Sequence, residues 1–274
     1  MPIVALEKST GPADTATTRS RLLRVQDVSV LFGGIKALNG VSFDMQKGHI
    51  LGLIGPNGAG KTTLFNCLSR LYQPSMGDIL MGGQSILKRP AHKISKIGIG
   101  RTFQNVSLFP NLTVRDNVRV GKHARTNSDI ISDGLKLPWV RKGEAAINRD
   151  VNDILDYLDL HDVADTIVSG LPFGTQKRVE LGRALAAEPK ILLLDEPAGG
   201  LNHEEVYTLG DLIRRIRDER DVTVLLVEHH MGLVMSIADH VVALNFGKKL
   251  AEGTPAAVQK DPAVIKAYLG DNDS

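Results

Sequence analysis

The chain of 274 residues is poor in cysteine, in aromatics and in any excess of charge, and each shortage removes a class of function. Its one cysteine, Cys67, cannot form an internal disulfide, which excludes a disulfide-stapled secreted scaffold and points to a reducing compartment. Cys67 therefore reads as a small core residue. Lys and Arg number 33 against 31 Asp and Glu, a formal charge of +2. No long basic run and no interleaving of basic with aromatic residues stands out, so no nucleic-acid partner is expected. No apolar run approaches the ~20 residues of a membrane span. The N-terminus lacks the apolar segment of a signal peptide, so the expected location is the cytoplasm.

What the chain does have is glycine at chosen places. Gly55-Pro56-Asn57-Gly58-Ala59-Gly60-Lys61-Thr62-Thr63 follows the apolar run from His49 to Ile54 and precedes Leu64-Phe65-Asn66-Cys67-Leu68. G-x-x-x-x-G-K-T between a strand and a helix is the layout of a phosphate-binding loop. Glycines let successive N–H groups turn toward phosphate oxygens, and the helix aims its positive end the same way. Lys61 would reach the β- and γ-phosphates, and the Thr62 hydroxyl would ligate Mg²⁺. A nucleoside triphosphate is the expected ligand.

Along the chain, residues 1–20 read as a loose tail rich in Thr, Ser, Gly and Pro. Leu23-Val25, Val28-Phe32, a Gly33-Gly34 turn and Val41-Met45 predict antiparallel strands. Three further runs, Ile50–Ile54, Ile191–Leu194 and Val222–Val227, suit strands buried on both faces. Helices are predicted over Asn148–Leu160 and Thr175–Ala187, with an exposed loop at 125–143. The sum is an α/β fold: a parallel-sheet core, an N-terminal antiparallel β arm, and a helical insert over about 113–188.

The second buried run ends in Asp195-Glu196, and the third in Glu228-His229. At a nucleotide site the first acid suits Mg²⁺, usually through water. The second can polarise the water that attacks the γ-phosphate. A solvated strand end is the plain reading of either acid alone; company gives the pair its meaning.

The order of these motifs resembles the ATP-binding subunit of ABC transporters, from about Leu23 to Gly270. Gly55–Thr62 match its Walker A motif, and Asp195 closes its Walker B strand. Glu196 sits at its catalytic base, Gln104 at its Q-loop, His229 at its switch histidine and Gly200-Leu201-Asn202 at its D-loop. Phe32 lies where that family places an aromatic under adenine. The resemblance implies a P-loop ABC ATPase with a RecA-like core over residues 21–274, binding ATP and Mg²⁺, with Thr62, Gln104 and Asp195 toward the metal. Three of these positions also have plain readings: a core aromatic for Phe32, a solvated loop residue for Gln104, and a strand-end cap for His229. Neighbouring His230, where the family commonly has Asp, reads as a helix-start surface residue.

One motif departs from the family pattern. Leu171-Pro172-Phe173-Gly174-Thr175 stands for the usual Leu-Ser-Gly-Gly-Gln, so the serine hydroxyl that would contact a γ-phosphate is missing. Pro172 also lacks an N–H. The Gly174 backbone and the helix start retain part of the anion-binding capacity. A neutral subfamily variant is the other reading.

Arg101-Thr102-Phe103-Gln104-Asn105, the Glu228-His229 pair, the extended loop after Gly121 and the Tyr268-Leu269-Gly270 ending are similar to the larger ATPase subunit of branched-chain amino acid importers. The resemblance then implies transmembrane permease partners, a second ATPase subunit (a different chain favoured over a second copy), and a place on the inner face of the cell membrane. Leu108, Phe109 and the loop near Trp139 are candidate permease contacts. A lipopolysaccharide-type exporter shares the Tyr-Leu-Gly ending, and a soluble ABC-type ATPase is a further reading. The single cassette and the lack of a heptad run argue against the soluble one.

Overall fold

The computed structural model describes residues 21–102, 107–123 and 138–269. The expected tail at 1–20 and Gln104 lie outside these residues. Two sheets share the chain. The antiparallel one has order β2-β1-β4-β5, from β1 (Arg21–Phe32), β2 (Ile35–Gln46), β4 (Met76–Met81) and β5 (Gln84–Ser85). This is the expected β arm, with Gly33 and Gly34 both at positive φ in the β1–β2 turn. The two predicted segments Leu23–Val25 and Val28–Phe32 are one strand, interrupted by a register shift where Asp27 takes φ 48°. Such a bulge breaks the period-2 pattern without ending the strand. Ser42 staples it, accepting from the Asp27 N–H and donating to its carboxylate.

The second sheet has order β10-β9-β3-β8-β7-β6, with β3 (Ile50–Ile54), β6 (Ile99–Arg101), β7 (Ile191–Asp195), β8 (Thr223–Val227), β9 (His240–Asn245) and β10 (Lys248–Gly253). Its pairings are parallel except for the β9–β10 hairpin. Every residue of β3, β7 and β8 is buried, because successive side chains feed two different cores. Ile50, Ile54, Leu192, Leu194, Val224 and Leu226 pack toward the helices. Leu51, Leu53, Ile191, Leu193, Leu225 and Val227 pack toward the β arm and α1 (Lys61–Leu68). Continuous apolar runs are what such two-sided burial requires. Emptying one of these positions to alanine costs about 2–5 kcal/mol.

The helical insert holds α2 (Val114–His123), α3 (Pro138–Tyr157) and α4 (Phe173–Ala186). The helix expected at Asn148–Leu160 starts ten residues earlier, so 138–143 belong to a helix and not to the expected exposed loop. Proline at the first helical position has a pre-set φ and no N–H to lose, and it opens α3. Residues 124–137 of that loop, and the Trp139 side chain, lie outside the described set. Beyond the insert come α5 (His203–Arg220), α6 (Met231–Ile237), α7 (Pro255–Gln259) and α8 (Pro262–Leu269). Strands β3, β8 and β7 are sheet neighbours running the same way. Their C-terminal ends therefore bring the phosphate loop, Glu228-His229 and Asp195-Glu196 to one edge, where open α/β sheets bind ligands.

Candidate nucleotide site

At that edge lies a cavity of about 660 Å³, lined by residues 35–37 and 57–63, Glu196, His229 and Phe246. The loop from Gly55 to Gly60 takes the backbone its glycines permit. Gly58 has φ 77° and Gly60 φ 102°, and Gly60 is the N-cap of α1. Lys61 is buried and folds back over its own loop, donating from Nζ to the Gly55 carbonyl at 2.6 Å and the Pro56 carbonyl at 3.0 Å. Burial lowers its pKa, and the carboxylates of Glu196 and Asp195 act against that. Thr62 and Thr63 face the cavity at the start of α1.

Asp195 ends β7, buried, with Oδ2 at 3.0 Å from Nη2 of Arg101. Arg101 ends β6 and also donates from Nη1 to Asn66 Oδ1 at 2.8 Å and Ser69 Oγ at 2.6 Å, its guanidinium 5.2 Å from the Phe65 ring centre. Burial raises the Asp195 pKa, and the Arg101 charge pulls it back down. One guanidinium therefore ties β7, β6 and α1 together. As a metal site, the Thr62 hydroxyl on the cavity wall and the buried Asp195 carboxylate next to Glu196 are both hard oxygen donors. Among the described residues no cluster of three or more His, Cys, Asp or Glu could hold a metal alone. That pair fits Mg²⁺ carrying waters and phosphate oxygens, a coordination that leaves few positions to the protein.

Glu196 and His229 meet: Oε1 lies 2.6 Å from Nε2. Glu196 takes φ 47°, a strained conformation for a non-glycine residue, and donates its N–H to the Val227 carbonyl at 2.9 Å. His230 caps α6, accepting the Leu233 N–H on Nδ1, as a helix-start residue should.

Residues 38–199 match the model of the ABC transporter family, and residues 248–274 match that of the branched-chain amino acid ATP-binding cassette transporter. The chain belongs to the ABC transporter family. It is 44% identical over 91% of its length to 98% of the high-affinity branched-chain amino acid transport ATP-binding protein BraF of Pseudomonas aeruginosa. To the high-affinity branched-chain amino acid transport ATP-binding protein LivG of Escherichia coli it is 41% identical, with the same coverage of both chains. Among solved structures it resembles a nucleotide-free ATP-binding cassette from an ABC transporter at a TM-score of 0.79 and 30% identity, over 92% of this chain and 100% of that one. The ADP conformation of MJ1267, an ATP-binding cassette of an ABC transporter, matches at 0.79 and 29%, over 92% and 99%. The protein is thus an ABC-type ATPase with the fold its sequence led us to expect.

Within this cassette, the predicted site residues Asp195, Phe32 and Gly174 do not line the cavity; Asp195 is buried behind it, and the other two lie elsewhere. Phe32 ends β1, half exposed, with its ring edge-on to Tyr72 at 5.3 Å between centres, and the cavity wall is formed by Ile35 instead. Gly174 lies in the first turn of α4 and lines a separate cleft of about 290 Å³ with Pro172, Asn202 and Glu205. Leu108 packs against the helical core, whereas Phe109 is exposed, with the Arg183 guanidinium 6.0 Å from its ring centre. No helix among the described residues is long and apolar enough to cross a membrane.

Three residues at this edge escaped the sequence reading. Arg101 and Glu228 stand inside motifs whose spacing assigns them no task. Phe246 was passed over; it is 84% exposed and sits with Gly247 in the two-residue β9–β10 turn, both at positive φ. Such a turn favours Asn or Asp in its first position, so phenylalanine there was a signal. The turn is pinned to the phosphate loop, Gly247 N–H donating to the Ala59 carbonyl at 3.0 Å, and Phe246 with Ile35 forms an apolar rim.

Proposed function

We propose that this chain binds Mg–ATP over residues 55–63 and hydrolyses it, with Glu196 as general base, to drive import of branched-chain amino acids. The observation that carries the reading is the 2.6 Å contact between Glu196 and His229 on the wall of the phosphate-loop cavity. Glu196 takes a proton from the attacking water, and His229 holds the carboxylate in place and senses the γ-phosphate. Lys61 gives up its two loop carbonyls for the β- and γ-phosphates. Thr62 and Asp195, with Gln104, would hold Mg²⁺, which when bound neutralises charge on the phosphate oxygens. The adenine ring reaches out of the cavity past Ile35 toward Phe32, whose ring stands edge-on to Tyr72.

The substrate class rests on the names carried by BraF and LivG and on the match over 248–274. The chain works on the cytoplasmic face of the membrane, with permease subunits that Phe109 meets and with a second ATPase subunit. The test is uptake by vesicles carrying the assembled transporter. ATP-dependent accumulation of labelled leucine, isoleucine or valine, lost in Glu196→Gln, is expected. Normal ATP consumption with no uptake of any of the three, or with outward movement of a lipid, would contradict it.

A further inference from the structure

Glu228, at the end of β8, bonds backbone amides of both the loop after β7 and the loop after β8, and the proposed hydrolysis assigns it no part. It follows the last residue of β8, buried to 3% exposure. Its Oε1 accepts the Ala198 N–H at 2.6 Å. Its Oε2 accepts two consecutive N–H groups, that of His229 at 3.0 Å and that of His230 at 3.2 Å. Ala198 lies two residues past Glu196, and His229 is the partner of Glu196. A single carboxylate thus holds the backbone under both members of the pair.

The need for such a clamp is visible in the ladder. Strands β7 and β8 pair in register up to Asp195 and Val227. One residue further, Glu196 still donates its N–H to the Val227 carbonyl. Pro197 then has no N–H to give, so main-chain pairing stops there. Glu196, at φ 47°, stands between that last bond and a turn in which its own carbonyl accepts the Gly199 N–H at 3.1 Å. A strained backbone persists only where its surroundings over-determine it. The turn holds itself, and the Glu228 carboxylate ties it to the other loop by catching the Ala198 N–H and fixing the two amides of the histidine loop to the same group. An ionised carboxylate is an acceptor on both oxygens, which three converging N–H donors demand.

We infer that Glu228 is the positioning residue of the Glu196–His229 pair, clamping the loop after β7 to the loop after β8 so that the base and its histidine keep their 2.6 Å contact. The inference rests on the proposed role of Glu196 as base, and the two can fail separately. Glu228 is buried and does not line the phosphate-loop cavity, so its loss acts on the chemical step and leaves ATP binding alone. Misplacing a reacting group by about 1 Å costs on the order of 10²-fold in rate.

The test compares Glu228→Gln and Glu228→Ala, each alone and combined with Glu196→Gln, in the full-length chain within its assembled transporter. Glutamine keeps the shape and one acceptor oxygen, so it holds one arm of the clamp. The expected result is a kcat roughly tenfold lower for Glu228→Gln and about 10²-fold lower for Glu228→Ala, with KM for ATP within about threefold of wild type. In the Glu196→Gln background the second change should cost less than about twofold, because residues acting as a unit are not additive. Amide exchange gives an independent reading that does not need an active protein: the Ala198, His229 and His230 amides are protected in the native chain and lose that protection in Glu228→Ala. Wild-type kcat in Glu228→Gln, multiplicative losses in the double variant, or unprotected amides in the native chain would each overturn the clamp. If Glu196→Gln alone keeps its turnover, the base assignment fails instead.

Discussion

Cys67 lies on the buried side of α1 beside Leu64 and Leu68, and burial pushes its thiol up to about 11. A thiol with a raised pKa stays protonated at pH 8, and only the thiolate is nucleophilic. Native protein should therefore resist alkylation at pH 8, with stoichiometric labelling appearing only after unfolding. Labelling of the folded chain at the rate of a free thiol would place Cys67 elsewhere. The same residue scale explains what the sequence could and could not tell. Lys61, Asp195, Glu196 and His229 were legible because their spacing from the strands is part of the motif. Glu228 was not, since its partners at Ala198 and His230 come from two loops some thirty residues apart and no local pattern records their meeting. The Arg101–Asp195 pair spans a still longer separation and was hidden for the same reason.

At the scale of elements, α5 begins with a reciprocal cap. Asn202 Oδ1 accepts the Glu205 N–H at 3.0 Å, and Glu205 Oε2 accepts the Asn202 N–H at 2.9 Å. Asn202→Ala should cost ~1 kcal/mol, a Tm fall of roughly 2–4 °C, while Asn202→Asp keeps the cap and the Tm. An unchanged Tm in the alanine variant by calorimetry would mean that the cap adds nothing to α5. Glu205 is also the neighbour of Gly174, where an added Cβ would come within 2.9 Å of its Oε1. The start of α4 and the start of α5 are thereby fitted to each other, and a larger residue at Gly174 has to displace the cap. Elements buried on both faces were readable from their apolar runs, as β3, β7 and β8 illustrate. Boundaries set by a bulge, as at Asp27, or by a helix that opens on proline, as at Pro138, were not, because neither leaves a periodic trace.

For the whole molecule, the separation of two features within one chain matters most. The cavity over the phosphate loop and the cleft at Pro172 and Gly174 have no lining residue in common. In the ABC family pattern, which we propose this chain follows, ATP on one subunit's phosphate loop is completed by the partner's Leu-Ser-Gly-Gly-Gln signature segment, and this chain offers Pro172-Phe173 where a serine hydroxyl is usual. The Phe173 ring also packs on the D-loop, where an added Cβ on Gly200 would meet it at 2.9 Å. Losing one preorganised donor to developing charge costs on the order of 10²–10³ in rate. With a different partner bearing an intact signature, the strong site is the one built from this chain's Lys61, Glu196 and His229. Glu196→Gln should then reduce ATP turnover of the complex far more than the equivalent change in the partner. Equal losses, or full activity from this chain paired with itself, would make Pro172 a neutral variation.

The central claim is that ATP bound on this phosphate loop is hydrolysed with Glu196 as base, and the most direct test separates binding from chemistry in one variant. Equilibrium binding of ATP and release of inorganic phosphate should be measured side by side on wild type and Glu196→Gln in the assembled transporter. The account predicts ATP affinity close to wild type, phosphate release down by ~10²-fold or more, and accumulation of the ATP-bound state. Phosphate release by Glu196→Gln at near the wild-type rate, with ATP still bound, would contradict it.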